Sequence, residues 1–351
     1  MTIEFQSRED RFALLNPLKD FTPDTQTIQV RKDPLLGHMS VYNPLMEEGI
    51  KMFVGKVDRE LVEQMSRDSA PHCFFCPDKI EGVARFAPDF IPEGTIEVGE
   101  TVLFPNLFAL GRHHAVAAIS RAHFLELDAL TPQLLRDAFK AIQRYIAAVH
   151  AHDGEAHNAS VNANYLFPAG ASLMHPHFQV IASAEPYSHQ ARLHEACREY
   201  MQANDEPYHR ALVRQERELG ERCIAQTGAW HWLAAYSPMG SNEVLGVHDQ
   251  SGDFSEIHED DLGSLARGLS CVLRTYARLG YLSFNFSLYS RRNPDPSDGF
   301  NCMIRCFTRQ NPYPNYRTDD FFMQKGLQTE LILNLPEALT GEMKLAFASA
   351  P

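Results

Sequence analysis

The sequence predicts an α+β fold in which one module occurs twice. Three observations carry this. The order strand, strand, helix, strand, strand runs from TVLFPNLFAL through HPHFQVIAS, and again from WHWLAAYSP through FNCMIRCFTR. Each central helix shows one continuous apolar stripe. The copies are separated by roughly 130 residues, too long a period for a solenoid repeat, which points to two fused copies of one unit.

The elements follow in order. Residues 1 to 30 read as a polar lead-in with little periodicity. RKDPLLGHMSVYNP reads as a turn and a short strand, VDRELVEQMSRD as a helix, and ARFAPDFIPEG as an extended loop. TVLFPNLFAL and HHAVAAIS are strands joined by a turn at Gly111. Thr131 as N-cap and Pro132 at the first helical position start a helix. Its stripe is Leu134, Leu135, Ala138, Phe139, Ile142, Ile146 and Val149. SVNANYLF and HPHFQVIAS are strands around a PAGAS turn. In the second copy, WHWLAAYSP and NEVLGVHD precede an acidic cap, HEDD, and a helix with the stripe Leu262, Leu265, Ala266, Leu269, Val272, Leu273, Tyr276 and Leu279. YLSFNFSLYS and FNCMIRCFTR are its last strands. The expected division is a catalytic module over 1–184, a connector containing the helix HQARLHEACREYMQAN over 185–229, and a second module over 230–351.

Composition narrows the class. Hydrophobic residues make up 44% and charged residues 22%, as in soluble globular proteins. No apolar run approaches the roughly 20 residues that cross a bilayer. The N-terminus MTIEFQSREDRF is charged and has no apolar signal core, so a cytoplasmic protein is expected. A net charge of −13 with no basic run argues against a nucleic-acid partner. Small anionic ligands stay open, because a few local donors hold a phosphate. The seven cysteines are an odd number without a secretory signal, which argues against a disulfide framework.

Two segments carry chemistry. In GASLMHPHFQV, His175, His177 and Gln179 alternate, so an extended strand turns all three to one side. Imidazole can attack phosphorus, a carboxamide can donate to phosphoryl oxygens, and the PAGAS turn can add backbone N–H groups. In CFFCP, Cys73 and Cys76 form half a zinc site or a redox pair. The thioredoxin-like βαβ setting that favours redox chemistry is absent. Zinc requires two more ligands, for which His175 and either His113 or His114 are candidates.

In one order, RKDPLLGHMSVYNP, CFFCP, LFPNLFALGRHH, NYLFPAGASLMHPHFQ and NLPEAL resemble the galactose-1-phosphate uridylyltransferase family of the histidine-triad superfamily, over about residues 30 to 345. Relatives include ADP-glucose phosphorylase and the dinucleoside polyphosphate phosphorylases. The resemblance implies two fused histidine-triad-like modules with antiparallel sheets and packed helices, and a nucleotidyltransferase working by ping-pong transfer. His177 would be the nucleophile and Gln179 a phosphoryl contact. Ser172 and Asn164 would support the phosphates, Asn106 would contact the nucleoside, and Arg31 would lie near the phosphates. A structural Zn(2+) would be held by Cys73, Cys76, His175 and His114, the last because its nine-residue distance to His123 matches the family's strand. A homodimer is also implied.

The second module departs from the pattern. Asn301 and Met303 stand where the family often carries an HxH strand, which argues against a second metal site and a second nucleophile. Arg305 and Arg309 are candidates for an acceptor phosphate or for solvated strand-edge charges. DDFFMQKGLQTE has no glutamate at the galactose-contacting position, which argues against galactose as the sugar. Three functions compete: transfer between sugar phosphates, phosphorolysis of an ADP-sugar or a dinucleoside polyphosphate by inorganic phosphate, and nucleotide binding without catalysis. The residues do not select uridine or adenosine.

Overall fold

A computed structural model describes residues 2–46, 54–292, 298–314 and 318–349. The protein is α+β, with seven helices among the described residues. Its core is an antiparallel ten-stranded sheet. The strands are β4 (Ile96–Val98), β5 (Thr101–Pro105), β6 (His113–Ala118), β7 (Asn158–Tyr165), β8 (His177–Ser183), β9 (Cys223–Thr227), β10 (Trp230–Ala234), β11 (Ser241–His248), β12 (Ser283–Arg291) and β13 (Met303–Arg309). Their spatial order is β4-β5-β6-β8-β7-β12-β13-β11-β10-β9. Read from each edge inward, both halves have the same order, and they meet where β7 pairs with β12. Two fused copies related by a pseudo-twofold axis give this arrangement.

Helices α2 (Pro132–His152) and α5 (Glu259–Arg278) pack on one face of the sheet and against each other. The Thr131 side chain accepts from the Leu134 amide, as its N-cap position predicts. His258 rather than an acidic residue caps α5. The stripes of both helices apart from Leu134, with Phe178, Val180, Phe284, Phe286 and Trp232 from the sheet, form one continuous core. The alternate strand residues face the other way. Over the second half, α3 (Ser188–Asn204) and α4 (Tyr208–Leu219) cover them.

Three expectations change. Residues 1 to 30 are not a lead-in: β1 (Gln6–Asn16) and β2 (Thr22–Lys32) form a long hairpin, joined to β3 (Met39–Tyr42) and β14 (Thr329–Ile332) in a four-stranded sheet. Most of β1 and the start of β2 are exposed, so the apolar alternation of a half-buried strand is missing. The connector holds a second helix, α4, and β9, the edge strand of the large sheet. Arg305 is neither a solvated charge nor open to a ligand, because it is buried in β13 and paired to the buried Glu243.

Candidate active site and metal cluster

The site is built where β8 lies between β6 and β7. A turn leads into β8. Leu166 (φ 66°) and Gly170 (φ 88°) take left-handed backbone there, and the Asn285 amide of β12 donates to the Ala163 and Ala169 carbonyls. Strand β8 begins at His177 and not at His175. The two rings therefore diverge from the side-by-side placement expected of one strand. His175 turns into a cysteine cluster, and His177 stays on the sheet.

His177 is 7% exposed. Its Nδ1 lies 2.7 Å from the His175 carbonyl oxygen, which can only accept, so Nδ1 carries the proton and Nε2 the lone pair. Burial lowers its pKa and keeps the ring neutral. Phe75, the second Phe of CFFC, meets this ring edge-on at 5.5 Å between centroids. Gln179 follows on the same face of β8, opposite Asn162 of β7. Asn164 accepts from Asn285, and Ser172 is exposed in the loop before His175.

The metal-type cluster comprises Cys73, Cys76, His123 and His175, whose ligand atoms all lie within 4.8 Å of one another. This corrects the fourth position: neither His113 nor His114 belongs to it. His113 pairs with Asp153 at 2.9 Å, and His114 turns to Asn106 and Gln179. His123 is brought in by the loop after β6, which the Ser120 hydroxyl tightens by accepting from the Ala122 amide. The His175 Nε2 lies 2.7 Å from the Ser120 carbonyl and donates to it, so its Nδ1 lone pair faces both sulfurs at 3.7 Å. In the same way His123 Nε2 meets the Ser69 hydroxyl at 2.9 Å, and its Nδ1 lies 3.3 Å from Cys76. Tetrahedral zinc with ordinary Zn–S and Zn–N bonds has S···N edges of about 3.6 Å, so the donor set fits that ion. Burial and the neighbouring Cys73 push the Cys76 thiol up to about 11, a cost that a bound cation offsets.

Other expected residues lie elsewhere. The Arg31 guanidinium is paired to both Glu337 oxygens, at 2.9 and 3.1 Å, and also contacts Gln29. Its other contacts, to the Tyr236 carbonyl and from the Ser237 hydroxyl to its own carbonyl, also lie outside the His177 site. Asn106 does reach the site, through His114. Arg309 pairs with Asp319 and donates to Asn285, which holds Asn164. His123, Phe75 and Asn285 are the contributors that sequence reasoning missed. For His123 the signal was present, as the far end of the spacing used to select His114; for Asn285 nothing in SFNFS stood out.

Beyond Gln179 lies a cavity of about 500 Å³ that spans the β7–β12 seam. Ser160, Asn162, Asn164, Asn285, Ser287 and Tyr289 line it, with Tyr187 and His189 from the start of α3. No aspartate, glutamate, lysine or arginine lines it among the described residues.

No family model matches the chain. An uncharacterized protein of Archaeoglobus fulgidus is 29% identical over 322 residues, 92% of this chain and 93% of its own length. An ADP-glucose phosphorylase from Arabidopsis thaliana, solved with ADP-glucose bound, superposes with a TM-score of 0.68 at 15% identity, over 90% of this chain and 98% of its own. A GalT-like protein from the same plant gives 0.67 at 16% identity over the same shares. A uridylyltransferase mutant gives 0.66 at 14% identity, over 92% of this chain and 99% of its own. No helix among the described residues is long and apolar enough to cross a membrane. The chain has the fold shared by the uridylyltransferase, GalT-like and ADP-glucose phosphorylase structures, the histidine-triad-like architecture that its motifs resemble.

Proposed function

We propose that this protein is a nucleotidyltransferase that moves a nucleoside monophosphate between phosphate compounds through a covalent bond to His177. The observation that carries this reading is the fixed tautomer of a buried, neutral imidazole, with Nδ1–H held by the His175 carbonyl and no hydrogen-bond partner for Nε2 among the described residues. The Nε2 lone pair attacks the α-phosphorus of a nucleotide donor. A P–N bond forms, the P–O bond to the leaving group breaks, and the departing phosphate takes the electron pair. Positive charge that develops on the ring is stabilised through Nδ1–H by the carbonyl dipole. An acceptor phosphate oxygen then attacks the same phosphorus and frees Nε2. Splitting the transfer avoids bringing two polyanions together at once.

The cysteine–histidine cluster supports a structural zinc ion held by Cys73, Cys76, His123 and His175. Four protein ligands leave no open position for substrate. His175 links the two sites: its Nδ1 faces the cluster, and its carbonyl holds His177. Bound zinc would stiffen that carbonyl. The cavity beyond Gln179 mixes hydroxyl and amide groups with apolar side chains and has no carboxylate, lysine or arginine among the described residues. It suits a sugar better than a second phosphate, which favours a nucleotide sugar as donor. We also propose a homodimer, because Phe12, Leu15, Leu18 and Phe21 on the β1–β2 hairpin and Leu107, Phe108 and Leu110 on the rim near Asn106 are exposed.

The second half-reaction separates the acceptor classes. Protein charged with nucleotide and freed of donor should discharge onto a sugar 1-phosphate. Discharge onto inorganic phosphate alone, with release of a nucleoside diphosphate, would assign a phosphorylase. Discharge onto neither would contradict the transfer reading.

A further inference from the structure

His114 is 4% exposed and lies outside the cysteine cluster. Its surroundings nevertheless fix its tautomer. The Leu110 backbone N–H lies 3.0 Å from Nδ1 and can only donate, so Nδ1 holds the lone pair and the single ring proton sits on Nε2. That Nε2 lies 3.0 Å from Gln179 Oε1 and donates to it. A carboxamide whose oxygen is held in this way presents its NH2 group at the other end, and no protein partner for that group is found among the described residues. Without the imidazole, the Gln179 amide can turn over and offer its oxygen, an acceptor, to an anionic phosphoryl group.

The same loop disposes Asn106. Its Oδ1 accepts from the Phe108 amide at 2.9 Å, which leaves its NH2 group as the other end. That nitrogen lies 3.2 Å from His114 Nε2, which has no lone pair to receive it. The hydrogens of Asn106 are thus also kept for an acceptor outside this trio. A short loop, Asn106 to Leu110, sets the tautomer of one imidazole, and that imidazole sets the direction of an amide in the next strand.

We infer that His114 is a positioning residue that locks the Gln179 amide as a hydrogen-bond donor toward the phosphoryl oxygens of the group transferred to His177. This rests on the reading that His177 takes a nucleotide. His114 acts only through Gln179, and it holds no metal.

The test is a double-mutant cycle on the metal-loaded full chain. It measures the single-turnover rate of nucleotidyl-protein formation from UDP-glucose or ADP-glucose, together with metal content. His114→Ala should slow formation on the order of 10- to 100-fold with metal content unchanged. Gln179→Ala should do the same, and the double variant should be no slower than Gln179→Ala. His114→Gln, which can still donate to Gln179, should recover part of the rate. Multiplicative slowing in the double variant, an unchanged rate in His114→Ala, or loss of metal from it would overturn the inference while leaving the nucleotidyl reading intact. A wild type that forms no adduct would overturn that reading instead. In that case the nitrogen-15 shifts of His114 in the wild type still check the geometry: the Nε2–H tautomer is expected, and Nδ1–H would sink the inference.

Discussion

The two nitrogens of a histidine ring are distinguished by what each already touches, and this separates the metal-type histidines from the rest. His123 and His175 both spend Nε2–H on an oxygen and turn Nδ1 to the cysteines. His114 spends both nitrogens on neutral groups away from the sulfurs. His123→Ala should therefore lose the metal, read as metal per chain by elemental analysis after gel filtration, while His114→Ala keeps it. The reverse result would restore the ligand set expected from spacing. The candidates read from the sequence are His113 and His114, with His123 only the far end of the spacing. The choice of His123 depends on where β6 ends and the Ser120 turn begins.

Glu330 gives a pH prediction at the same scale. Burial pushes its carboxyl up to about 7 from 4.5, and hydrogen bonds from Gln324 and the Leu331 amide offset only part of that. Between these values the folded protein keeps a proton that the unfolded chain has lost, so stability falls as pH rises through the window. Glu330→Gln keeps an amide oxygen for the same donors and removes the charge. Its melting temperature should exceed that of the wild type at pH 8, by an amount worth about 1–3 kcal/mol, and match it near pH 4.5. Equal gains at both pH values would show that the carboxyl is not strained by burial.

Among the elements, α5 shows why a glycine stands in a helix interior. A Cβ at Gly268 would fall 2.1 Å from the Trp232 ring, whose indole N–H is tied to the Thr227 hydroxyl at 2.9 Å and which has no exposed surface. Ala has the better helix propensity, by about 1 kcal/mol, but the overlap exceeds that gain. Gly268→Ala should lower stability by roughly 2 kcal/mol or more in denaturant melts. A variant as stable as the wild type would mean that α5 can move off β10 at little cost. Elements with strong periodicity or caps, such as α2 from Thr131 and the strands of SVNANYLF and NEVLGVHD, were legible in the sequence. The β1–β2 hairpin was not, because its pairing is satisfied within itself and few of its residues are buried. Arg305 was misread because a buried ion pair leaves no local pattern. Its partner Glu243 lies on the neighbouring strand β11, a relation that exists only once the sheet forms.

For the whole molecule, the duplicated order of elements was visible from residue patterns, and the ten-stranded sheet realises it with a seam at β7–β12. The seam itself was not visible, although it places Asn285 of the second half beside Asn164 of the first. The exposed hairpin belongs to this scale as well. Leu18 is 93% exposed and Phe21 66%, a surface that a partner copy would cover. Light scattering should show a dimer, and Leu15→Asp with Leu18→Asp should show a monomer. A double variant that remains dimeric would place the interface elsewhere.

The most direct measurement is the intact mass of the protein after brief mixing with UDP-glucose or ADP-glucose and a rapid quench, with His177→Ala alongside. The wild type should gain the mass of one nucleoside monophosphate and His177→Ala none, and the size of the gain names the base. A wild type without an adduct from nucleotide donors, or an adduct that persists in His177→Ala, would contradict the assignment of His177 as the nucleophile.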